Sequence, residues 1–205
     1  MKYVLIDKNN LILATRVQLE IFPTEIAFTC YKKSIEDNHE HYKYYLVYKN
    51  DIVIGITGLY TENNFEDNSI WIGWYGVLEE YRLHGFGEEI LKDTINMAKK
   101  WSVENNKIKY IRLYTSFKHN KIAQILYEQY MDLKEKYNNK NDINYDNTCL
   151  VYTKKINNID KLEYWNNRFL NLIEGENMIK RGFEDFSKLT NGDIHIQISE
   201  SGEIF

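Results

Sequence analysis

The sequence predicts a mixed α/β (α+β) fold built on a central, mostly antiparallel β-sheet. Three observations support this class: short apolar or alternating segments typical of strands, longer segments with an apolar residue every three or four positions, and the order in which they follow one another. That order is strand, helix, helix, three strands, helix, strand, helix, strand. Three consecutive strands favour a hairpin meander over the alternating units of a fully parallel sheet.

One short strand and two short helices are predicted at the start of the chain. Residues 2–6 form the strand, and Asn9 and Asn10 can cap the helix that follows. The sequence FPT at residues 22–24 interrupts this helix, and helical character resumes over residues 25–36. The apolar stripe of the first helix is expected to consist of Leu13, Val17 and Ile21.

Three strands are predicted next. Residues 42–49 alternate, residues 50–51 form a tight Asn-Asp turn, and residues 52–60 return along the first strand. A polar loop at residues 63–68 follows. Residues 69–78 are apolar on both faces, which predicts a long third strand at the centre of the sheet.

A long helix and a further strand follow the meander. The helix is predicted over residues 88–105 and the strand over residues 108–116. The buried stripe of the helix is expected to consist of Leu91, Ile95, Ala98 and Trp101.

A second helix starts at His119 and Asn120 and is expected to continue towards Lys136. A loop at residues 138–147 and a strand at residues 148–155 complete this part of the chain. The inward residues of the helix are expected to be Ala123, Leu126, Tyr127 and Tyr130.

The residues after this last strand differ from the rest, so we predict a first domain at residues 1–156 and a C-terminal extension at residues 157–205. In the extension, residues 193–199 alternate like a strand. The extension is expected to pack on the core or to pair with a second copy in a homodimer. The extension is also predicted to contain a helix, because four of its apolar residues are spaced like one helix face: Leu162, Trp165, Phe169 and Leu172.

Composition and charge exclude several classes of function. The formal net charge is −4, and the basic residues are interspersed with acidic ones, so no nucleic-acid partner is expected. We find no secretory signal and no apolar run long enough to cross a bilayer, which predicts a cytoplasmic protein without a membrane partner. Cys30 and Cys149 are expected to be reduced thiols. No metal site is expected, because the closest histidines, His39 and His41, are more typical of a surface loop.

The sequence RLHGFG at residues 82–87 stands between the long strand and the long helix. Two glycines in such a place are typical of a phosphate site, because phosphate oxygens can approach the backbone without meeting a Cβ. A P-loop would need lysine where Glu88 stands, and a dinucleotide fold would need a third glycine in a parallel βαβ unit. The pattern that fits is Arg82-x-x-Gly85-x-Gly87.

A second motif, Asn120-x-x-Ala123-x-x-x-Tyr127, follows one strand later at the start of a helix. With both motifs in this order, the chain resembles the GCN5-related N-acetyltransferase (GNAT) family, which binds acetyl-coenzyme A. The resemblance covers about residues 1–156 and includes the order of the elements. It implies the GNAT fold, in which the sheet is splayed beside its central strand at the acetyl-CoA site and helices cover both faces.

The resemblance also implies which residues bind acetyl-CoA. The backbone N–H groups of the loop form an anion nest for the pyrophosphate, and Arg82 either adds charge or shapes the turn. The pantetheine arm should lie along the strand, where the N–H of Tyr75 or Gly76 faces the thioester oxygen. Asn120 is expected to bond the pantetheine amides. The implied set is Tyr75, Val77, Leu78, Glu79, Arg82, Leu83, His84, Gly85, Phe86, Gly87, Asn120 and Ala123.

Tyr127 occupies the position of the family's general acid. In the reaction that the resemblance implies, the departing CoA thiolate takes a proton from this hydroxyl. An ordinary tyrosine has a pKa of about 10 and a thiol about 8.5, so the tyrosine stays protonated at neutral pH. General acid catalysis is typically worth about 10²–10⁴-fold in rate.

The chain departs from the family where some members carry a general base. Trp71 and Gly73 occupy those strand positions, and neither can accept a proton. The alternatives are water or the nearby carboxylates of Glu62, Glu66 and Asp67. At pH 7, deprotonating a lysine-like amine costs about 4.6 kcal/mol and deprotonating an α-amine about 1.4 kcal/mol. We therefore expect either a water relayed to a carboxylate or a preference for an amine of low pKa.

The function implied is the transfer of an acetyl group from acetyl-CoA to a primary amine, by direct attack in a ternary complex. The alternative is a CoA-binding sensor or structural module of the same fold that does no chemistry. The acceptor, a small-molecule or peptide amine, is expected to be selected by residues 22–31, residues 63–68 and the C-terminal extension. A slightly acidic protein suits a cationic amine.

Overall fold

The computed structural model describes residues 1–61, 68–105, 107–118, 120–138, 148–156, 162–165 and 172–190. In these residues there are eight β-strands, five α-helices and a short 3-10 turn at Glu79–Tyr81. The strands are β1 (Lys2–Leu5), β2 (Tyr42–Lys49), β3 (Ile52–Tyr60), β4 (Ser69–Ile72), β5 (Gly76–Val77), β6 (Tyr110–Ser116), β7 (Leu133–Asn138) and β8 (Thr148–Lys155). The helices are α1 (Leu11–Ile21), α2 (Phe28–Glu36), α3 (Phe86–Glu104), α4 (Lys121–Tyr130) and α5 (Leu172–Leu189).

The strands form a mixed, mostly antiparallel sheet. Their order is β1-β2-β3-β4-β6-β8-β7, and β5 pairs with β3. The pairing of β4 with β6 is parallel, whereas β3 with β4 and β5, and β8 with β6 and β7, are antiparallel. The predicted fold class is confirmed. The central position predicted for the apolar third strand is also confirmed, because β4 lies between β3 and β6 and all four of its residues are buried.

The single long strand predicted over residues 69–78 is wrong, because the segment is divided into β4 and β5. Ile72 of β4 pairs with Leu59 of β3, whereas Gly76 of β5 pairs with Ile56. Residues 73–75 therefore lie opposite residues 57–58 of β3. This insertion of one extra residue is a β-bulge. Trp74, within the bulge, has a φ of +50°, a conformation that costs a non-glycine residue about 1–2 kcal/mol.

The predicted continuation of the second long helix towards Lys136 is also wrong. α4 ends at Tyr130, because Met131 has an extended backbone (φ −106°, ψ 154°) and β7 follows, paired with β8. The sequence of β7 alternates with a period of two: the exposed side chains are Lys134 and Lys136, and the more buried ones are Leu133, Glu135 and Tyr137.

The helical stripes were predicted with mixed success. In α3 the predicted stripe is confirmed, since all four of its members are buried. In α1, Val17 is buried, but Leu13 is 43% exposed, and the polar residues Thr15 and Gln18 belong to the buried face. In α4, Tyr127 is buried and the other three predicted members are half-buried. The second predicted helix begins at Phe28, later than residue 25.

The C-terminal residues differ from the prediction. Residues 162–165 are not helical, so the helix predicted from Leu162 is wrong over that stretch. Phe169 and the strand predicted at residues 193–199 lie outside the described residues. α5 was not predicted as an element. None of the helices in the described ranges is long and apolar enough to span a bilayer. Cys30 and Cys149 are free thiols.

The chain divides into two compact units. The first comprises Met1–Gly58, Trp74–Ile90 and the described residues from Ile173 onward, and the second comprises the described parts of Leu59–Gly73 and Leu91–Leu172. An apolar cluster of the first unit includes Ile6, Leu46, Ile56 and Leu78. A cluster in the second unit is built on Trp71, Val151 and Trp165. The domain boundary predicted at residue 156 stays a prediction.

Candidate functional site

β5 leads directly into the loop that carries the first motif. The N–H of Leu78 donates to the carbonyl of Ile54 (3.0 Å), and one 3-10 turn, Glu79–Tyr81, follows. Neighbouring peptide groups of a strand point to opposite edges, so the N–H and C=O of Val77 face the edge away from β3. By the same alternation, the N–H of Gly76 points towards β3.

The side chain of Arg82 folds back onto β5. Its Nε donates to the carbonyl of Val77 at 3.1 Å. The sequence left two roles open for Arg82, adding charge to the anion site or shaping the turn. The hydrogen bond to Val77 supports the second role. The Val77 carbonyl therefore already accepts one hydrogen bond, and the N–H of Val77 faces the same edge.

Residues 83–87 present consecutive backbone N–H groups from which no backbone carbonyl of the described residues accepts a hydrogen bond. Leu83 has a φ of +62° and is 91% exposed, and Gly85 has a φ of +81°. The carbonyl of Gly85 accepts the first intrahelical bond of α3, from the N–H of Glu89 (3.1 Å), so the N–H groups just after Gly85 are orphan donors of the first helical turn. Such a run of donors at a helix N-terminus is suited to an anion.

Gly85 and Gly87 are required for different reasons. Gly85 adopts a positive φ, and no atom lies within 4 Å of the place that a Cβ would occupy. A Cβ on Gly87 would stand 3.2 Å from the Oη of Tyr75. That hydroxyl donates to the Gly87 carbonyl at 2.6 Å. Conformation therefore favours glycine at position 85, and the approach of Tyr75 favours it at position 87.

The side chains around this loop carry mixed charge. The Nζ of Lys49 lies 4.3 Å from the centroid of the Phe86 ring, whereas Glu88 and Glu89 occupy the first turn of α3. The exposed His84 holds its Nδ1 2.7 Å from the Arg82 carbonyl. Glu88 and Glu89 would oppose an anion at this helix end, so an anion bound there would depend mainly on the backbone donors.

The second motif lies in the second unit, at the start of α4. Asn120 is the N-cap residue, with a φ of +57°, and its carbonyl accepts from the N–H of Gln124 (2.9 Å). Its side-chain amide lies 3.4 Å from the Thr115 hydroxyl, and the residue is exposed. Ala123 is half-buried one turn later. Asn120 therefore presents a polar side chain at the start of α4.

Gln124 anchors α4, a role that the sequence analysis missed. Its buried side chain donates to two carbonyls at the end of β6, those of Ser116 (2.9 Å) and Phe117 (3.1 Å). The available signal was a glutamine on the same helix face as Tyr127, three residues earlier. This contact sets where the helix begins relative to β6.

Tyr127 is 8% exposed, and its ring packs edge-to-face on Tyr152 with 5.4 Å between centroids. Burial, and to a lesser degree the neighbouring Tyr152, raises the pKa of Tyr127 well above its ordinary value. The hydroxyl therefore keeps its proton across the physiological range.

The structure offers no proton acceptor at the strand positions where some family members carry a base. Trp71 is 1% exposed, and its ring packs on Trp165 with 5.4 Å between centroids. Gly73 has no side chain. The three candidate carboxylates, Glu62, Glu66 and Asp67, lie outside the described residues.

A buried ion pair that the sequence analysis did not predict lies in the second unit. Arg112 and Glu135 are 3% and 6% exposed, and their charged atoms are 3.7 Å apart. Both carboxylate oxygens of Glu135 accept from the N–H of Trp165 at 3.0 Å, and Arg112 donates to the hydroxyl of Ser69 at 2.9 Å. The available signal was a charged residue at the inward position of an alternating strand.

Comparison with known proteins places these observations in context. The sequence profile of the acetyltransferase (GNAT) family matches residues 13–132. No curated protein matches the chain significantly in sequence.

Solved structures with similar folds include two N-acetyltransferases and a protein solved with acetyl-CoA. The ribosomal-protein-S18-alanine N-acetyltransferase from Escherichia coli has 12% identity and a TM-score of 0.59, with 80% of this chain and 98% of that chain covered. Arabidopsis thaliana NAA60 in complex with acetyl-CoA has 18% identity and a TM-score of 0.58, with 77% and 99% covered. A variant of the spermidine N-acetyltransferase SpeG from Vibrio cholerae has 17% identity and a TM-score of 0.56, with 76% and 95% covered. At these identities the likeness shows the fold.

The profile match is the stronger finding for classification. It covers more than half of the 205 residues and contains both the Arg82–Gly85–Gly87 motif and the motif from Asn120 to Tyr127. The predicted class of protein, an acyltransferase, is thereby confirmed. The chain belongs to the acetyltransferase (GNAT) family.

Proposed function

We propose that this protein transfers an acetyl group from acetyl-CoA to a primary amine, which attacks the thioester directly while both substrates are bound. The observation that carries the proposal is the run of backbone N–H donors at residues 83–87 in front of α3. In a member of this family, that run is suited to the pyrophosphate of CoA. Leu83 and Gly85 within this run have positive φ angles, a conformation found in backbone nests that bind anions.

The structural neighbours support an amine as the acceptor. One acts on spermidine, a second on the alanine of ribosomal protein S18, and a third was solved with acetyl-CoA. A polyamine and a protein amine are both nucleophiles of the class proposed here. We therefore expect a primary amine, carried by a small molecule or by a peptide.

The reaction balances without a metal or redox group. The amine nitrogen forms a bond to the acetyl carbon, the C–S bond breaks, the amine loses one proton and the CoA thiolate gains one. We assign the proton donor to Tyr127, whose raised pKa keeps it protonated. Of the two N–H groups considered for the thioester oxygen, that of Tyr75 is favoured, because the strand alternation directs the Gly76 N–H towards β3.

Deprotonation of the amine is the step for which the described residues offer least help. Since Trp71 and Gly73 cannot act as a base, the proton of the amine goes to water or to one of the carboxylates Glu62, Glu66 and Asp67, unless the acceptor is an amine of low pKa. If no protein group accepts the proton of the amine, kcat/KM should increase about tenfold for each unit by which the pH is raised, as long as the pH is below the pKa of the acceptor amine. A flat pH–rate profile extending well below that pKa would argue against this view.

The decisive experiment is CoA release from acetyl-CoA with a panel of peptides, polyamines and small amines. We expect release that depends on the amine for at least one class, together with acetyl-CoA binding by calorimetry. Binding without turnover across the whole panel would instead favour the catalytically silent CoA-binding module. Failure to bind acetyl-CoA would exclude both functions.

A further inference from the structure

The connection between α1 and α2, residues 22–27, lies directly against β5. A Cβ on Gly76 would stand 2.4 Å from the Cγ2 of Ile21 and 3.3 Å from two atoms of the Phe22 ring. The Phe22 ring also meets Trp74 of the bulge edge-on, with 5.9 Å between centroids. The end of α1 and the strand proposed to hold the thioester are thus in contact within one unit.

One buried side chain holds this connection from inside. Gln18 is fully buried, and its Nε2 donates to the carbonyls of Phe22 (3.3 Å) and Glu25 (2.8 Å). Its Oε1 accepts from the N–H of Ala27 at 2.6 Å. Three bonds from a single side chain therefore span the whole connection, and one of them satisfies the buried N–H of Ala27.

α5 holds the same connection from the other side. A Cβ on Gly182 would stand 2.8 Å from the Cγ2 of Ile26 and 3.0 Å from the Oγ1 of Thr29. The rings of Phe28 and Phe186 pack with 5.4 Å between centroids, and both residues are buried. Only a residue without a side chain lets α5 come this close.

We propose that Gln18 and α5 are positioning elements for the acceptor amine: together they hold the α1–α2 connection, and with it Phe22, against Gly76 and Trp74. This inference rests on the proposed function, because it takes β5 as the place where the thioester lies. Neither element touches the reacting atoms. They set the surface that the amine must pass, in which Thr24 and Glu25 are exposed. The C-terminal helix thereby contributes to acceptor recognition, although it lies outside residues 13–132.

The test separates acceptor binding from acetyl-CoA binding in the full chain. Gln18→Met keeps the side-chain length and removes all three hydrogen bonds, and Gly182→Val forces α5 away from Ile26. For both variants we expect the KM of the best amine from the panel to rise about tenfold or more. The KM and calorimetric Kd of acetyl-CoA should stay within about twofold of the parent values.

Two matched controls accompany these variants. Thr15→Val removes a fully buried hydroxyl of α1 that bonds only the Leu11 carbonyl of its own helix among the contacts described (2.9 Å), and Ser187→Ala removes a half-buried hydroxyl of α5. Both should leave the KM of the amine unchanged. Gly182→Ala is the milder second variant in case Gly182→Val does not fold, and its smaller bulk should still raise the amine KM by about threefold.

The outcomes separate the inference from the function on which it rests. Folded variants whose amine KM is unchanged would overturn the inference and leave the proposed function standing. An equal rise in the KM of both substrates would reduce Gln18 and α5 to a purely structural role and would also overturn it. Absence of amine turnover in the parent protein would overturn the proposed function, and the inference with it.

Discussion

The hydroxyl of Tyr75 donates a 2.6 Å hydrogen bond to the carbonyl of Gly87, and this bond ties the end of the bulge to the first turn of α3. The loop with the backbone donors lies between these two residues. A second hydrogen bond holds the same loop: the Nε of Arg82 donates to the Val77 carbonyl. The donors are therefore held in place before any ligand arrives, which lowers the entropy lost when an anion binds.

The first prediction concerns this pair. Tyr75→Phe should destabilise the protein by about 0.5–1.5 kcal/mol and raise the KM of acetyl-CoA several-fold. Gly87→Ala should be damaging alone, because its Cβ would stand 3.2 Å from the Tyr75 Oη, and less damaging in the Tyr75→Phe background. The parent, the two single variants and the double variant form a double-mutant cycle. Urea unfolding and acetyl-CoA kinetics of these four proteins test the prediction, with Tyr42→Phe in β2 as a control. Strictly additive effects would mean that the two residues do not interact.

The second prediction concerns the backbone of the loop. Gly85→Ala meets no steric contact, but its φ of +81° should cost about 1–2 kcal/mol, and we expect the KM of acetyl-CoA to rise about tenfold. Asn38→Ala is the matched control, because Asn38 also has a positive φ (52°) in an exposed position far along the chain. The control should lose comparable stability and keep its KM. An equal change of KM in both variants would show that strain alone explains the effect.

The third prediction concerns the proton donor. Tyr127→Phe should keep the affinity for acetyl-CoA and lower kcat by about 10²-fold or more, because the thiolate would leave without a proton. Since burial raises the pKa of Tyr127, its ionisation should not limit kcat on the alkaline side below about pH 10. Tyr152→Phe, which keeps the ring contact, is the control and should retain most of kcat. An unchanged kcat in Tyr127→Phe would remove this residue from the acid role.

The fourth prediction concerns the buried ion pair of the second unit. Glu135→Ala should cost about 3–5 kcal/mol, because it leaves the Arg112 guanidinium buried without its carboxylate. Glu36→Ala, in the exposed pair with Lys32 (3.9 Å), should cost less than about 1 kcal/mol. Chemical denaturation measures both. A loss below 1 kcal/mol at Glu135 would indicate that water reaches the pair.

The fifth prediction concerns pH. Burial alone would raise the pKa of Asp37, but hydrogen bonds from the backbone N–H of His41 (2.6 Å) and from its ring (3.0 Å) outweigh burial, and the pKa is lowered. A carboxylate with a lowered pKa stabilises the folded state above the unfolded-state pKa of about 3.9, and this stabilisation is lost as pH falls through the folded-state pKa. Asp37→Asn should therefore be less stable than the parent at pH 7, and the difference should shrink as pH falls below about 3.9. A difference in stability that is constant from pH 7 to pH 3 would contradict this assignment.

The sequence by itself determined the family, both motifs and most of the elements. These depend on local patterns: the Arg82–Gly85–Gly87 spacing, the run from Asn120 to Tyr127, and a helical stripe in α3 that repeats every three or four residues. The turn at residues 50–51 was also predicted from the sequence, because Asn and Asp are suited to the positive φ angles of a tight hairpin. Both residues have positive φ in the structure. Errors arose where a short polar strand such as β7 looked helical until a partner strand was known.

Only the tertiary structure decided how the loop is held and what surrounds it. The bulge at Trp74 exists because β3 pairs with β4 and β5 in registers that differ by one residue, and no local pattern specifies a register across strands. The partners of Arg82, Tyr75 and Gln18 are likewise set by packing. Gln18, which packing buries completely, bonds the backbone groups that the fold brings beside it, because leaving those groups unpaired would cost more than any local preference supplies.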